Sequence, residues 1–288
     1  METIDNRLNQ TIFRYLTALA AHLDNIPKSH SIEHVHEARV ATRRLRAALW
    51  VLKKQFSKKE RKKWGKTLSR LSDVLSETRD LDVHIEFLKN FPGAALSKKQ
   101  AQGLNELATI YKIRRRDAQT KALAEVKRFN KTKIPDQIGR AVAQDNGRDD
   151  HGLRALARKK VTRCLKNLLA YEPYVKKPHA RKKLHRMRIE AKHLRYTLEL
   201  FQAIYPGESE EYLRNLVEIQ RALGSVHEFD VWLEQARALK NNRQLSGFLK
   251  YYHHECEKCR KTWYEKFVHL WKKHKHAKTW QKIYEMVS

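Results

Sequence analysis

His36, Arg39, Arg43 and Arg46 stand at i, i+3, i+7 and i+10, and His185, Arg188, Lys192 and Arg195 repeat that spacing in the second half of the chain. At about 100° per residue each set falls within roughly 80° of one helix face. One imidazole and three cations in a row are a phosphate-holding chemistry. Guanidinium forks take phosphate oxygens in pairs, and an ammonium adds a mobile point charge. A nearby polyanion would raise the pKa of each histidine while the neighbouring arginines oppose it, and that balance stays open at this point. Behind the cations lie Ala38, Ala41, Leu45 and Leu49 in one copy and Met187, Ala191, Leu194 and Leu198 in the other. Each copy is therefore expected to be a helix with an oily back and a cationic front.

Composition says what such helices sit in. The 288 residues carry 61 Lys and Arg against 32 Asp and Glu, a formal charge of +29. So large an excess points to a polyanionic partner. Nine glycines and six prolines are about half the usual share, which favours long helices over turn-rich folds. No apolar run is long enough for a membrane span, and the first residues, METIDNRLNQTIFRYL, do not read as a secretory signal. Three cysteines are an odd number and fit a reducing, cytoplasmic setting. Cys256 and Cys259 are spaced CxxC beside His253 and His254, but no second CxxC follows, so two thiols on a helix is preferred to a zinc site.

The elements that must position the cations follow from periodicity. Helices are predicted over residues 5–24, from a cap at Ser31 to Phe56, over 58–76, and from Thr78 to a stop at Pro92-Gly93, with Asp80 and Asp82 in a first turn. A long helix runs over 97–130, and a short connecting piece is bracketed by Pro135 and the pair Asn146-Gly147. Then the plan repeats: 152–171, a second basic helix to Tyr205, a turn at Pro206-Gly207, then 208–223, 226–239, 244–273 and a last short helix. The run from Trp263 to Trp280 is expected to cap the second bundle. An offset of 149 aligns Ile12, Leu16, His36, Arg39 and Leu45 with Val161, Leu165, His185, Arg188 and Leu194. An offset of 148 aligns Trp64, Leu68, Leu75 and Asp82 with Tyr212, Leu216, Leu223 and Asp230. The expectation is an all-α fold: one domain over 1–288 built from two duplicated four-helix bundle halves, 1–145 and 146–288. A pseudo-twofold between the halves would bring the basic helices side by side around a central pore.

Three readings compete for the cationic faces. Solvated surface accounts for most charges in any protein, but does not require the same His-and-cation spacing twice. Nucleic acid would be held through phosphate contacts; yet the aromatics fall at core spacing and no helix-turn-helix or RRM signature is present, so incidental binding is the expectation. A dense phosphate ligand is the third. The segments HEARVATRRLRAAL and HRMRIEAKHLRYTLELF, each followed by an L-x6-D-V stretch (LSETRDLDV and LGSVHEFDV), resemble the CHAD family over nearly the whole chain. That resemblance implies an all-helical domain of two four-helix halves that binds inorganic polyphosphate in a basic central pore and is associated with polyphosphate granules in the cytoplasm. Carried over by position, it implies His36, Arg39, Arg43, Arg44, Arg46, His185, Arg188, Lys192, His193 and Arg195 as polyphosphate-binding residues. The second half departs from the first: Lys192 stands for Arg43, His193 for Arg44, and His227-Glu228 for Arg79-Asp80.

Members of the family are often fused to a triphosphate-hydrolysing barrel marked by ExExK. This chain has neither that motif nor a glycine-rich phosphate loop, and phosphoryl transfer needs a held metal or an activated nucleophile. Binding without catalysis, cofactor or metal is therefore expected, with a sequence-independent nucleic-acid binder or a phosphohydrolase of unrecognised motif as alternatives. Asp82 and Asp230 are expected to cap a helix or hold an arginine rather than bind metal. The sequence leaves the oligomeric state open.

Overall fold

The structure is a computed structural model and describes residues 3–29, 31–92, 96–144, 149–242 and 244–288. These form ten α-helices and one 3-10 turn, with no strand among the described residues. The fold is all-α. In the first run come α1 (Ile4–Asn25), α2 (Ile32–Val51), α3 (Lys58–Lys89), α4 (Lys98–Asn130) and a short α5 (Ile134–Gln144). The second run has α6 (Asp150–Leu169), α7 (Arg181–Phe201), α8 (Ser209–Ala238), α9 (Ser246–His276) and α10 (Thr279–Val287). In each run every long helix packs on the next, and the short last helix folds back on the first: α5 on α1, α10 on α6. The runs meet chiefly where α2 crosses α7 and α4 lies against α9.

Local chemistry sets the starts. Ser31 caps α2 by accepting from the Glu33 amide at 3.2 Å. Ser57 with Glu60 and Ser97 with Gln100 form reciprocal capping boxes on α3 and α4. The short connecting piece that Pro135 is expected to open is itself a helix, α5. Pro135 occupies the first turn of α5, where its missing N–H costs nothing, and Ile134, Ile138 and Val142 then bury one face of that helix. The Asn146-Gly147 pair, Gly93 and the boundary between the expected halves lie outside the described residues.

A larger correction concerns α3 and α8. Sequence spacing divides each into two helices, at 76–78 and at 223–226, whereas each is one continuous helix of 32 and 30 residues. The cause is visible in the packing. The larger apolar core takes Trp64, Leu68, Leu71 and Leu75 from α3 and Leu216, Ile219 and Leu223 from α8, together with the oily backs of α2 and α7. A second core takes Leu88 from α3, Leu107 and Tyr111 from α4, Phe229, Trp232 and Leu233 from α8, and Phe248 and Tyr252 from α9. Between the two cores both helices cross a polar layer, and there the hydrophobic period lapses while the backbone stays helical. A lapse of pattern is thus a change of environment, not an end.

Asp82 and Asp230 therefore sit inside helices and cap nothing. Each holds an arginine from the following helix: Arg115 Nε donates to Asp82 at 2.5 Å, and Arg260 Nε to Asp230 at 2.7 Å. Arg181 joins Asp230 at 3.0 Å. The C-terminal segment closes the second bundle, with Trp271 and Trp280 buried and their ring centroids 4.9 Å apart. Cys256 is buried in the second core and Cys259 is half-buried on the same helix.

Candidate functional site

The polar layer between the cores is where the two cationic rows meet. Apolar backs at Ala38, Ala41 and Leu45 and at Met187, Ala191 and Leu194 are buried at or below 4% exposure. Anchored that way, α2 and α7 turn their cations toward each other. Arg39 and Arg43 from α2 and Arg188 from α7 all act on Lys192: burial first, then Arg188, Arg43 and Arg39, push its pKa down to about 6, against the pull of Asp80. Burial and Arg43 lower Arg39 to about 10. Arg188 is lowered too, by burial and by Arg43 from the other run, with Glu228 and Asp80 opposing. The Nε atoms of Arg39 and Arg188 are buried and have no hydrogen-bond partner among the described residues. Arg43 donates to Ser76 Oγ at 3.3 Å.

The histidines border this cluster and are neutral near pH 7. Burial, Arg39 and Arg79 lower His36; burial, Arg188 and Lys192 lower His185. His185 Nδ1 lies 3.2 Å from Nδ1 of His227, so one ring donates to the other. His227 is pushed down to about 3 by burial and then by Arg188. In the free protein burial first, and then the arginines, settle the balance that the sequence leaves open.

Not every sequence-predicted residue joins. Arg44 and Arg195 converge on Glu199, at 2.9 and 3.2 Å to its two oxygens, and Arg195 also lies 4.7 Å over the Tyr196 ring. Arg44 thereby ties α2 to α7, Arg195 pairs within α7, and the single carboxylate offsets one of the two positive charges. Arg46 and His193 are exposed, and His193 sits 3.4 Å from Glu190. A cavity of about 330 Å³, lined by Asp80, His84, Arg114 and Trp232 among others, opens beside the layer through Asp80.

What this architecture is similar to can now be stated. The family model for the CHAD domain matches residues 10–237. The chain belongs to the CHAD family. This CHAD chain is similar to the crystal structure of the CHAD domain from the plant Ricinus communis, at 21% identity and a TM-score of 0.70, over 91% of this chain and 88% of that one. It is also similar to PptA from Streptomyces chartreusis, at 18% identity and a TM-score of 0.70, over 92% of this chain and 99% of that one. At these identities the likeness speaks for the fold. No curated protein sequence matches the chain.

Within the CHAD fold, four members of the site escape a reading based on the basic helices alone. Arg79 and Asp80 from α3, and His227 and Glu228 from α8, carry the acid and part of the charge that face the cations. Burial raises the carboxyl of Glu228, with Arg188 opposing. The signal for them was an acid at the same place in both runs, Asp80 and Glu228, directly upstream of the aligned aspartates.

Proposed function

We propose that this CHAD protein binds inorganic polyphosphate, without turning it over, in the cationic layer between α2, α7, α3 and α8, and that binding targets it to or organises polyphosphate granules. One observation carries the reading: Arg39, Arg43, Arg188 and Lys192, drawn from both runs, crowd each other while half-buried. Among the described residues, the carboxylates set against them and Arg79 are those of Asp80 and Glu228. Burying like charges together is costly unless an anion completes the set. A thin phosphate chain can reach donors recessed between helices; a duplex holds its phosphates on the outside of a wide rod and cannot follow.

Competition between long-chain polyphosphate and duplex DNA of equal charge, at physiological salt, tests the choice. Polyphosphate should win, and Arg39→Gln with Arg188→Gln should weaken its binding at least tenfold with helicity unchanged. Preference for DNA would refute the ligand, unchanged affinity in the double variant would refute the site, and steady orthophosphate release by the pure, metal-supplemented protein would refute binding without turnover.

A further inference from the structure

A second concentration of cations lies away from the central layer, where the C-terminal end of α2 meets α6. A cavity of about 620 Å³ is lined there by Lys53 and Lys54 after α2 and by Lys159, Lys160 and Arg163 on α6, with half-buried Leu156 as its aliphatic contact and Leu153 and Val51, members of the core, behind it. Among the described lining residues the one acid, Asp149, is occupied as the cap of α6, accepting from the Gly152 amide. Lys160 is 7% exposed; its Nζ donates to the Trp50 carbonyl at 3.0 Å and lies 4.2 Å from the centre of the Trp50 ring. After burial, Lys53 and Arg163 push its pKa down to about 8. A buried lysine crowded by other cations is the mark of a place built to meet negative charge.

The repeat supplies a control. The offset of 149 maps Lys159, Lys160, Lys166, Lys53 and Lys54 onto Gln10, Thr11, Thr17, Gln202 and Ala203. A hollow in the first run, lined by Gln10, Phe13, Thr17 and Ala203 with Arg7 and Arg14 as its cations, overlaps that place in part, its Arg7, Gln10, Arg14 and Ala203 matching Leu156, Lys159, Arg163 and Lys54. Folding this helix pair thus does not require the lysines, since the other copy does without them. Their gathering at one of two matching positions calls for a ligand.

We propose that the α2–α6 cavity binds a nucleoside polyphosphate, its phosphates on Lys53, Lys159, Lys160 and Arg163 and its nucleoside against Leu156 and the aliphatic stems of the lysines. A bare phosphate chain has no use for the aliphatic part of the lining, whereas a base and ribose do. The volume is that of an ordinary small-molecule site. The site shares no residue with the central layer, so it stands independently of the polyphosphate reading.

Calorimetric titration of the full chain carrying Arg39→Gln and Arg188→Gln, which removes phosphate binding in the central layer, with ATP and with inorganic tripolyphosphate tests it. ATP should bind one to one and at least tenfold more tightly than tripolyphosphate. Lys159→Glu with Arg163→Glu, both exposed positions, added to that chain should weaken ATP at least tenfold, and Leu156→Asn should weaken ATP while leaving tripolyphosphate unchanged. Equal affinity for the two ligands, no ATP binding by the central variant, or ATP binding kept when the α6 substitutions are added, would overturn the proposal.

Discussion

Filling the central layer with polyphosphate should draw a proton out of solution onto Lys192. In the free protein that amine has a pKa of about 6, held there by burial, then by Arg188, Arg43 and Arg39, with Asp80 opposing. At pH 8 about 1% of free molecules carry the charge. A phosphate chain laid among the same arginines reverses the local field and returns the amine toward its ordinary pKa near 10.4, so each binding event takes up about one proton. By linkage, log K for polyphosphate should fall by about one for each pH unit raised between 7 and 9. His185 and His227 also face Lys192, and Glu228 lies in the same field. Working at pH 8 sets the imidazoles aside. Titration in two buffers of different ionisation enthalpy reads the proton directly. Lys192→Arg, which keeps its charge throughout, should abolish both the uptake and the slope. The sign for stability is separate: between pH 6 and about 10.4 the unfolded lysine is protonated and the folded one is not, so the ligand-free fold gains stability as pH rises through that window. Zero uptake at pH 8, or equal uptake by the arginine variant, would refute the crowding argument.

Two further perturbations probe the frame. Glu199→Gln should release Arg44 and Arg195 from their shared carboxylate; polyphosphate affinity should rise about threefold to tenfold while the thermal midpoint falls, because a charge-assisted pair holding α2 to α7 is lost. Unchanged affinity would place both arginines outside the ligand's reach. Gly103 lets α4 pass close to α9, and a Cβ there would collide with Phe248 Cβ; Gly103→Ala should cost about 2 kcal/mol. Gly65→Ala, in open space on α3, should instead stabilise by about 0.5–1 kcal/mol, and denaturant unfolding of the pair reads the difference.

The repeat and its cationic faces were legible because a helix face is a local code: His36 to Arg46 and His185 to Arg195 announce themselves within eleven residues. The oily backs were legible for the same reason, and they bring α2 against α7. What lay hidden depends on partners far along the chain. Nothing near Arg44 foretells its pairing with Glu199, 155 positions away, whereas the Arg195–Glu199 pair, four residues apart on one helix, was within reach of the sequence. The unbroken length of α3 and α8 was misread because apolar spacing reports surroundings, and those surroundings change where the helices pass from one core to the next. The role of Asp82 and Asp230 was half legible: holding arginine was foreseen, but the helix end to be capped does not exist.

Helices α3 and α8, at 32 and 30 residues, are struts of about 48 and 45 Å, gripped by oil on both sides of Asp80 and Glu228, which lie about two-thirds of the way along them. Such rods cannot swing aside to let the neighbouring guanidiniums spread. The repulsion is met once, when the chain folds, and a polymer bound as proposed would find its contacts in place with little freedom left to lose. A cleft fixed in this way discriminates by the distance between charges along a ligand, and a polyanion with a longer spacing finds no slack to accommodate it.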